Sequence, residues 1–178
     1  MTKNDLRIVY KDICERIVDK EYKSKIISLT VFEYVKQYKS VGVYASMIDE
    51  VNTDGLINKM LESGINVFLP KTMDDGLHFY QIHSLNDLNE IGRYEIREPH
   101  AIYPLKSPLE AIIVPGICFD TEKNRIGHGM GYFDKYLCDK NILKIGVGFD
   151  ELISETLIPS NDNDVKMDII ITDKRVIK

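Results

Sequence analysis

The chain has 178 residues, 44% hydrophobic and 29% charged, which is enough to bury one sizeable core and fits a single domain spanning 1–178. Its net charge of −5 argues against a general nucleic-acid binder, which needs a basic face. The longest apolar runs, such as 111–114, are too short to span a bilayer, and residues 1–5 lack the apolar centre of a signal peptide, so no membrane partner and a cytoplasmic location are expected.

The first predicted element is a helix. Leu6, Val9, Tyr10, Ile13, Cys14 and Ile17 form one apolar stripe, while Lys3, Arg7 and Lys11 repeat every four residues on a neighbouring face. A second helix is expected from about Ser24 to Tyr38, with Ile27, Val31, Tyr34, Val35 and Tyr38 inward. A strand over 41–45 leads into a polar turn, 46–52. Thr53 then caps a helix carrying Leu56, Ile57, Met60 and Leu61, which Gly64 ends. Strands follow at 65–69, stopped by Pro70, and at 77–82, after the turn 74–76. Residues 84–108 hold three of the six prolines and read as mostly loop. Three further strands are expected at 111–114, 144–149 and 168–172. Apolar strands without alternation, with helices between them, indicate an α/β domain: three layers, a mostly parallel sheet flanked by helices, preceded by an N-terminal helical pair. Lys174, Arg175 and Lys178 read as a solvated tail.

Cys14, Cys118 and Cys138 are odd in number and far apart, which argues against a disulfide scaffold or structural zinc and reads as buried free thiols. His78, His83 and His100 have no metal-like spacing.

Six of the eleven glycines lie between 116 and 148, and Gly127, Gly129 and Gly131 fall within five residues. Alternating glycines permit positive φ and remove side chains that would hold a ligand off, so successive N–H groups can converge on an anion. A helix opening near Phe133 would add its dipole, Arg125 is placed to neutralise phosphate, and Asp134 could bind magnesium. A flexible turn explains the glycines equally well. The spacing G-x-G-x-G, with Tyr132 next, is not the dinucleotide fingerprint, and no Gly-Lys-Ser/Thr follows to make a Walker A loop.

The run V-P-G-x-x-F-D at 114–120 and R-I-G-x-G-x-G-Y-F-D at 125–134 resembles the signature of the 5-formyltetrahydrofolate cyclo-ligase (5,10-methenyltetrahydrofolate synthetase) family. Lys3 and Leu6-Arg7, the acidic turn around Asp49-Glu50, Pro70-Lys71, Glu98-Pro99 and the closing Asn161-Asp162-x-Asp164-x-Lys166-x-Asp168 fall in the same order as in that family. The resemblance implies that ATP and Mg2+ drive conversion of 5-formyltetrahydrofolate, polyglutamylated or not, to 5,10-methenyltetrahydrofolate, ADP and phosphate; a monomer is expected. It implies an ATP site made by Lys3, Arg7, Arg125, Ile126, Gly127, His128, Gly129, Met130, Gly131, Tyr132 and Phe133, with Arg125 and Tyr132 catalytic. It implies a folate site made by Arg7, Ala45, Glu50 and residues His128 to Tyr132, with Asp134 and Asp168 on magnesium. His128, Met130 and Phe133 depart from the residues common at those positions, and His128 would carry only partial charge near neutrality. A non-catalytic nucleotide or folate sensor and a sugar-phosphate isomerase-like domain are the rival readings.

Overall fold

The computed structural model describes residues 1–178. Helix α1 (Lys3–Glu15) opens on a capping box, in which Asp5 N–H donates to Thr2 Oγ1 and Thr2 N–H to the Asp5 carboxylate. Helix α2 (Lys20–Val35) starts one turn before the expected position and ends before Tyr38. Strand β1 (Ser40–Gly42) is shorter than expected, because Tyr44 and Ala45 leave the ladder and line a cleft. Helix α3 (Asp54–Glu62) follows. Thr53 stands at its N-cap, but its hydroxyl donates to Tyr44 O at 2.8 Å and so ties the helix to the end of β1.

Strand β2 (Asn66–Met73) runs straight through Pro70 and turns into β3 (Gly76–Ile82). Its parallel pairing with β1 ends at Phe68, so Pro70, opposite Phe79 of β3, withholds no hydrogen bond from β1. The expected loop holds only the two-residue strands β4 (Glu90–Ile91) and β5 (Arg97–Glu98), paired as a small hairpin, with two short turns of 3-10 helix. Then come β6 (Ala111–Pro115), β7 (Cys118–Asp120), β8 (Arg125–Ile126), α4 (Tyr132–Leu137), β9 (Leu143–Val147), β10 (Ile153–Ser154), β11 (Ile169–Ile171) and β12 (Val176–Ile177). Lys174, Arg175 and Lys178 are exposed as expected, but the segment that carries them is not a free tail. β12 pairs antiparallel with β11, and Arg175 Nε donates to Asp150 Oδ1 at 2.8 Å.

The main sheet has the order β12-β11-β9-β6-β1-β2-β3, parallel except for its two edge strands. Alternate residues of each strand enter different cores. Val67, Leu69, Ile113, Ile145, Ile169 and Ile171 pack with Ile27, Val31, Ile57 and Met60 of α2 and α3. Phe68, Ile112, Val114 and Ile170 pack with Phe119 and Leu137 on the other face. Two covered faces explain why these strands read as unbroken apolar runs. A small sheet, β10-β7-β8, packs Ile117, Cys118 and Ile126 beneath Leu6 of α1 and so brings α1 to the mouth of the cleft. No helix is long and apolar enough to cross a membrane.

Candidate active site

A cavity of about 500 Å³ opens beyond the carboxyl ends of β1 and β6, the usual place for a ligand in an open α/β sheet. One wall is the loop joining β8 to α4, with Gly127 to Gly131 along it. Gly129 and Gly131 stand at φ 104° and 68°, a left-handed region that side-chain-bearing residues enter only with strain. Helix α4 has six residues, so the field at this loop comes from its own amides and neighbouring charges far more than from a helix dipole. Ile126 lines the cavity, but its side chain is buried in the core below. Met130 is exposed at the rim, while Tyr132 and Phe133 close the loop, and Phe133 also packs on the core.

Arg125, expected to neutralise phosphate, lines the cavity from beneath the loop and is largely buried there. Its side chain is 4% exposed; one terminal nitrogen donates to Pro115 O at 3.2 Å and the other to Asp134 Oδ2 at 2.8 Å. Its Nε has no partner. Burial lowers its pKa, and the carboxylates of Asp134 and Asp164 oppose that shift, so a charged guanidinium holds loop, strand and acid together.

Helix α1 supplies two more cations. Arg7 Nε donates to Gly127 O at 2.8 Å, and Lys3 pairs with Asp164. Asp164 also accepts from Asn161 N–H at 2.7 Å, and Asp134 Oδ1 accepts from Val165 N–H at 3.1 Å, which folds the 161–165 segment along the cleft. Asp168, the second expected metal ligand, is elsewhere. It precedes β11, at the amino end of the parallel strands, where it accepts from Lys144 N–H at 2.7 Å and pairs with Lys144 Nζ at 3.0 Å. The acid of that closing motif that lines the cavity is Asp164. No three His, Cys, Asp or Glu side chains gather anywhere as a metal cage.

The opposite wall carries Tyr44, Ala45, Met47 and Glu50. Glu50 Oε2 accepts from Met47 N–H at 2.9 Å, which closes its own turn. Tyr44 donates to Val51 O at 2.8 Å; burial first, and then the charge of Glu50, hold its phenol far above the ordinary value, so it remains a donor. His128 faces Glu50 across the cleft. The β4–β5 hairpin adds Tyr94, Ile96 and Glu98, which the motifs did not single out as ligand contacts. Glu98 was visible only as half of Glu98-Pro99. It is 4% exposed and accepts from Thr72 N–H at 3.0 Å. No periodicity marks Tyr94, which stands at φ 64°.

The cysteines lie outside this chemistry. Cys14 and Cys118 are buried as expected, whereas Cys138 is exposed. Burial pushes the Cys118 thiol up to about 12 and also raises Cys14. Asp139 beside Cys138 raises that thiol too, so access decides: a thiol reagent at neutral pH will modify exposed Cys138 alone in the folded protein, and all three after denaturation. Peptide mapping checks this, and rapid native labelling of Cys118 would contradict it.

A family model described as the 5-formyltetrahydrofolate cyclo-ligase family matches residues 6–173. A probable 5-formyltetrahydrofolate cyclo-ligase of Schizosaccharomyces pombe is 30% identical over 200 aligned positions, covering 100% of this chain and 98% of the relative. The 5-formyltetrahydrofolate cyclo-ligase of Saccharomyces cerevisiae is 30% identical over 75% of each chain. The NMR structure of Aquifex aeolicus 5,10-methenyltetrahydrofolate synthetase superposes with a TM-score of 0.86 at 28% identity, covering 99% of this chain and 92% of that one.

Proposed function

The chain belongs to the 5-formyltetrahydrofolate cyclo-ligase family, and on that premise we propose that it converts 5-formyltetrahydrofolate and ATP to 5,10-methenyltetrahydrofolate, ADP and phosphate in this cleft. The observation that carries the reading is the pair of facing walls: a glycine loop with two left-handed glycines on one side and the recessed carboxylate of Glu50 on the other. α1 and Asp164, from the two ends of the sequence, both line the cleft, which supports one domain acting as a unit. We take it to work as a cytoplasmic monomer, on folates with or without a polyglutamate tail.

The formyl oxygen attacks the γ-phosphorus, an oxygen–phosphorus bond forms, and ADP leaves. N10 then adds to the activated carbon and gives up its proton, while the carbon–oxygen bond breaks and phosphate departs. Positioning and charge neutralisation suffice for such steps, with no protein nucleophile. The amides of 127–131 hold the phosphates, and Lys3 and Arg7 add positive charge from α1. Glu50 accepts the paired N–H donors of the pterin edge, beside Ala45. Tyr132 closes the cleft over both ligands, and Arg125 acts as a positioning residue from below.

Magnesium suits the donor set only as a partner of the nucleotide. Asp134 and Asp164 are the two carboxylates beside the loop, each already holds a backbone N–H, and Mg2+ is commonly bound by one or two carboxylates together with phosphate oxygens and water. When bound there it would neutralise phosphate charge. Asp168 takes no part.

The test is absorbance, because the conjugated amidinium of the product absorbs where the substrate does not. ATP-dependent growth of that band supports the reading. Binding of both ligands without growth indicates a sensor, and indifference to folate contradicts the reading altogether. Arg7→Met releases Gly127 O and one positive charge; KM for ATP is expected to rise about tenfold, the scale of one charge-assisted hydrogen bond, with the melting temperature nearly unchanged. Steady-state kinetics and a thermal melt measure both, and an unaltered KM would detach α1 from the phosphates.

A further inference from the structure

The two walls of the cleft are joined side chain to side chain by one pair whose members lie 78 residues apart in sequence. His128 Nε2 is 3.3 Å from Glu50 Oε1. A carboxylate can only accept, so the imidazole donates. The histidine side chain is 43% exposed, while the glutamate it reaches is 8% exposed and recessed in the opposite wall. Both Glu50 oxygens therefore have a protein partner, Met47 N–H on one and His128 on the other, and each keeps a further acceptor position for a ligand. On the α1 side of the loop the nearest group is the Arg7 guanidinium, whose Cζ would lie 3.5 Å from a Cβ built on Gly129. The loop thus has Arg7 on one side and reaches Glu50 through His128 on the other.

We propose that His128 is a positioning residue acting through Glu50, and that through this contact nucleotide on the glycine loop tightens binding of the folate. The proposal rests on the reading of Glu50 as the folate's carboxylate. Glycine permits more backbone conformations than any other residue, and phosphates held by the amides of this loop select one of them. His128 is then presented in one place, so the cost of fixing the His128–Glu50 contact is met before folate arrives. Linkage makes the effect reciprocal, so folate tightens nucleotide by the same factor. The role assigned to His128 is consequently distinct from a phosphate contact.

The experiment is an equilibrium titration of the full chain with 5-formyltetrahydrofolate, with and without a non-hydrolysable ATP analogue and magnesium. In the parent protein the analogue is expected to lower the folate Kd by about fivefold, the lower end of ordinary coupling between sites. His128→Gln keeps an N–H donor and should retain that factor. His128→Ala should reduce it to below about twofold, while shifting the analogue's own Kd without folate by less than that. Full coupling in His128→Ala, absence of coupling in the parent, or loss of analogue affinity in His128→Ala without folate would each overturn the proposal. Glu50→Gln separates it from the reading beneath it. Unchanged folate affinity in that variant defeats the reading of Glu50 and this inference with it. Weakened folate in Glu50→Gln together with full coupling in His128→Ala defeats this inference alone.

Discussion

Replacing Arg125 by methionine is expected to lower the unfolding free energy by about 3 kcal/mol, the scale seen when one member of a buried ion pair is removed. For a chain of this length that corresponds to a fall of roughly 10 °C in melting temperature. Methionine fills much of the arginine volume, so the loss comes from Asp134, whose Oδ2 is left without its cation, and from Pro115 O, which loses its donor. Lysine is a poor substitute, because a single ammonium cannot reproduce a planar fork that meets two acceptors at once. Asp134→Asn in the Arg125→Met background should recover part of the stability, since it removes the stranded charge. Thermal and denaturant unfolding of the four proteins measures the cycle. An Arg125→Met chain as stable as the parent would mean that the guanidinium does not tie loop to strand.

Glu50→Gln is expected to raise KM for 5-formyltetrahydrofolate by about thirtyfold, equivalent to roughly 2 kcal/mol for hydrogen bonds lost from a charged acceptor. The amide can still accept from Met47 N–H, so the turn should persist and stability should change little. KM for ATP measured at saturating folate should move much less than KM for folate, because the phosphates are assigned to the other wall. Equal increases in both constants would show that the substitution deforms the whole cleft. No increase in either would remove Glu50 from the folate site.

The layers of the fold were legible because a parallel sheet with both faces covered writes itself as apolar runs, and Ala111–Val114 and Ile169–Ile171 are such runs. Pro70 misled because proline usually ends a strand, and only tertiary pairing reveals that its missing donor costs nothing there. β12 is two residues long and acquires its place from β11, so nothing local announces it. Within the cleft, motif order located the loop, α1 and the Glu50 turn, since those segments carry unusual residues at fixed spacing. It did not distinguish Asp164 from Asp168. Four residues along an extended, irregular stretch carry a side chain from the carboxyl end of the sheet to its amino end, and spacing alone does not reveal which acid reaches the cavity. Arg125 shows the converse difficulty. An arginine beside glycines invites a phosphate role, whereas its burial beneath them depends on how the neighbouring segments fold back to bring Pro115 O and Asp134 Oδ2 to its two terminal nitrogens, which spacing does not show.

A structure determined with an ATP analogue and magnesium tests the central claim most directly. Phosphate oxygens are expected within hydrogen-bonding distance of the amides of residues 127–131, with the terminal phosphate turned toward the wall of Glu50. Phosphates seated elsewhere, for instance beside Lys144 and Asp168 at the amino end of the sheet, would contradict it.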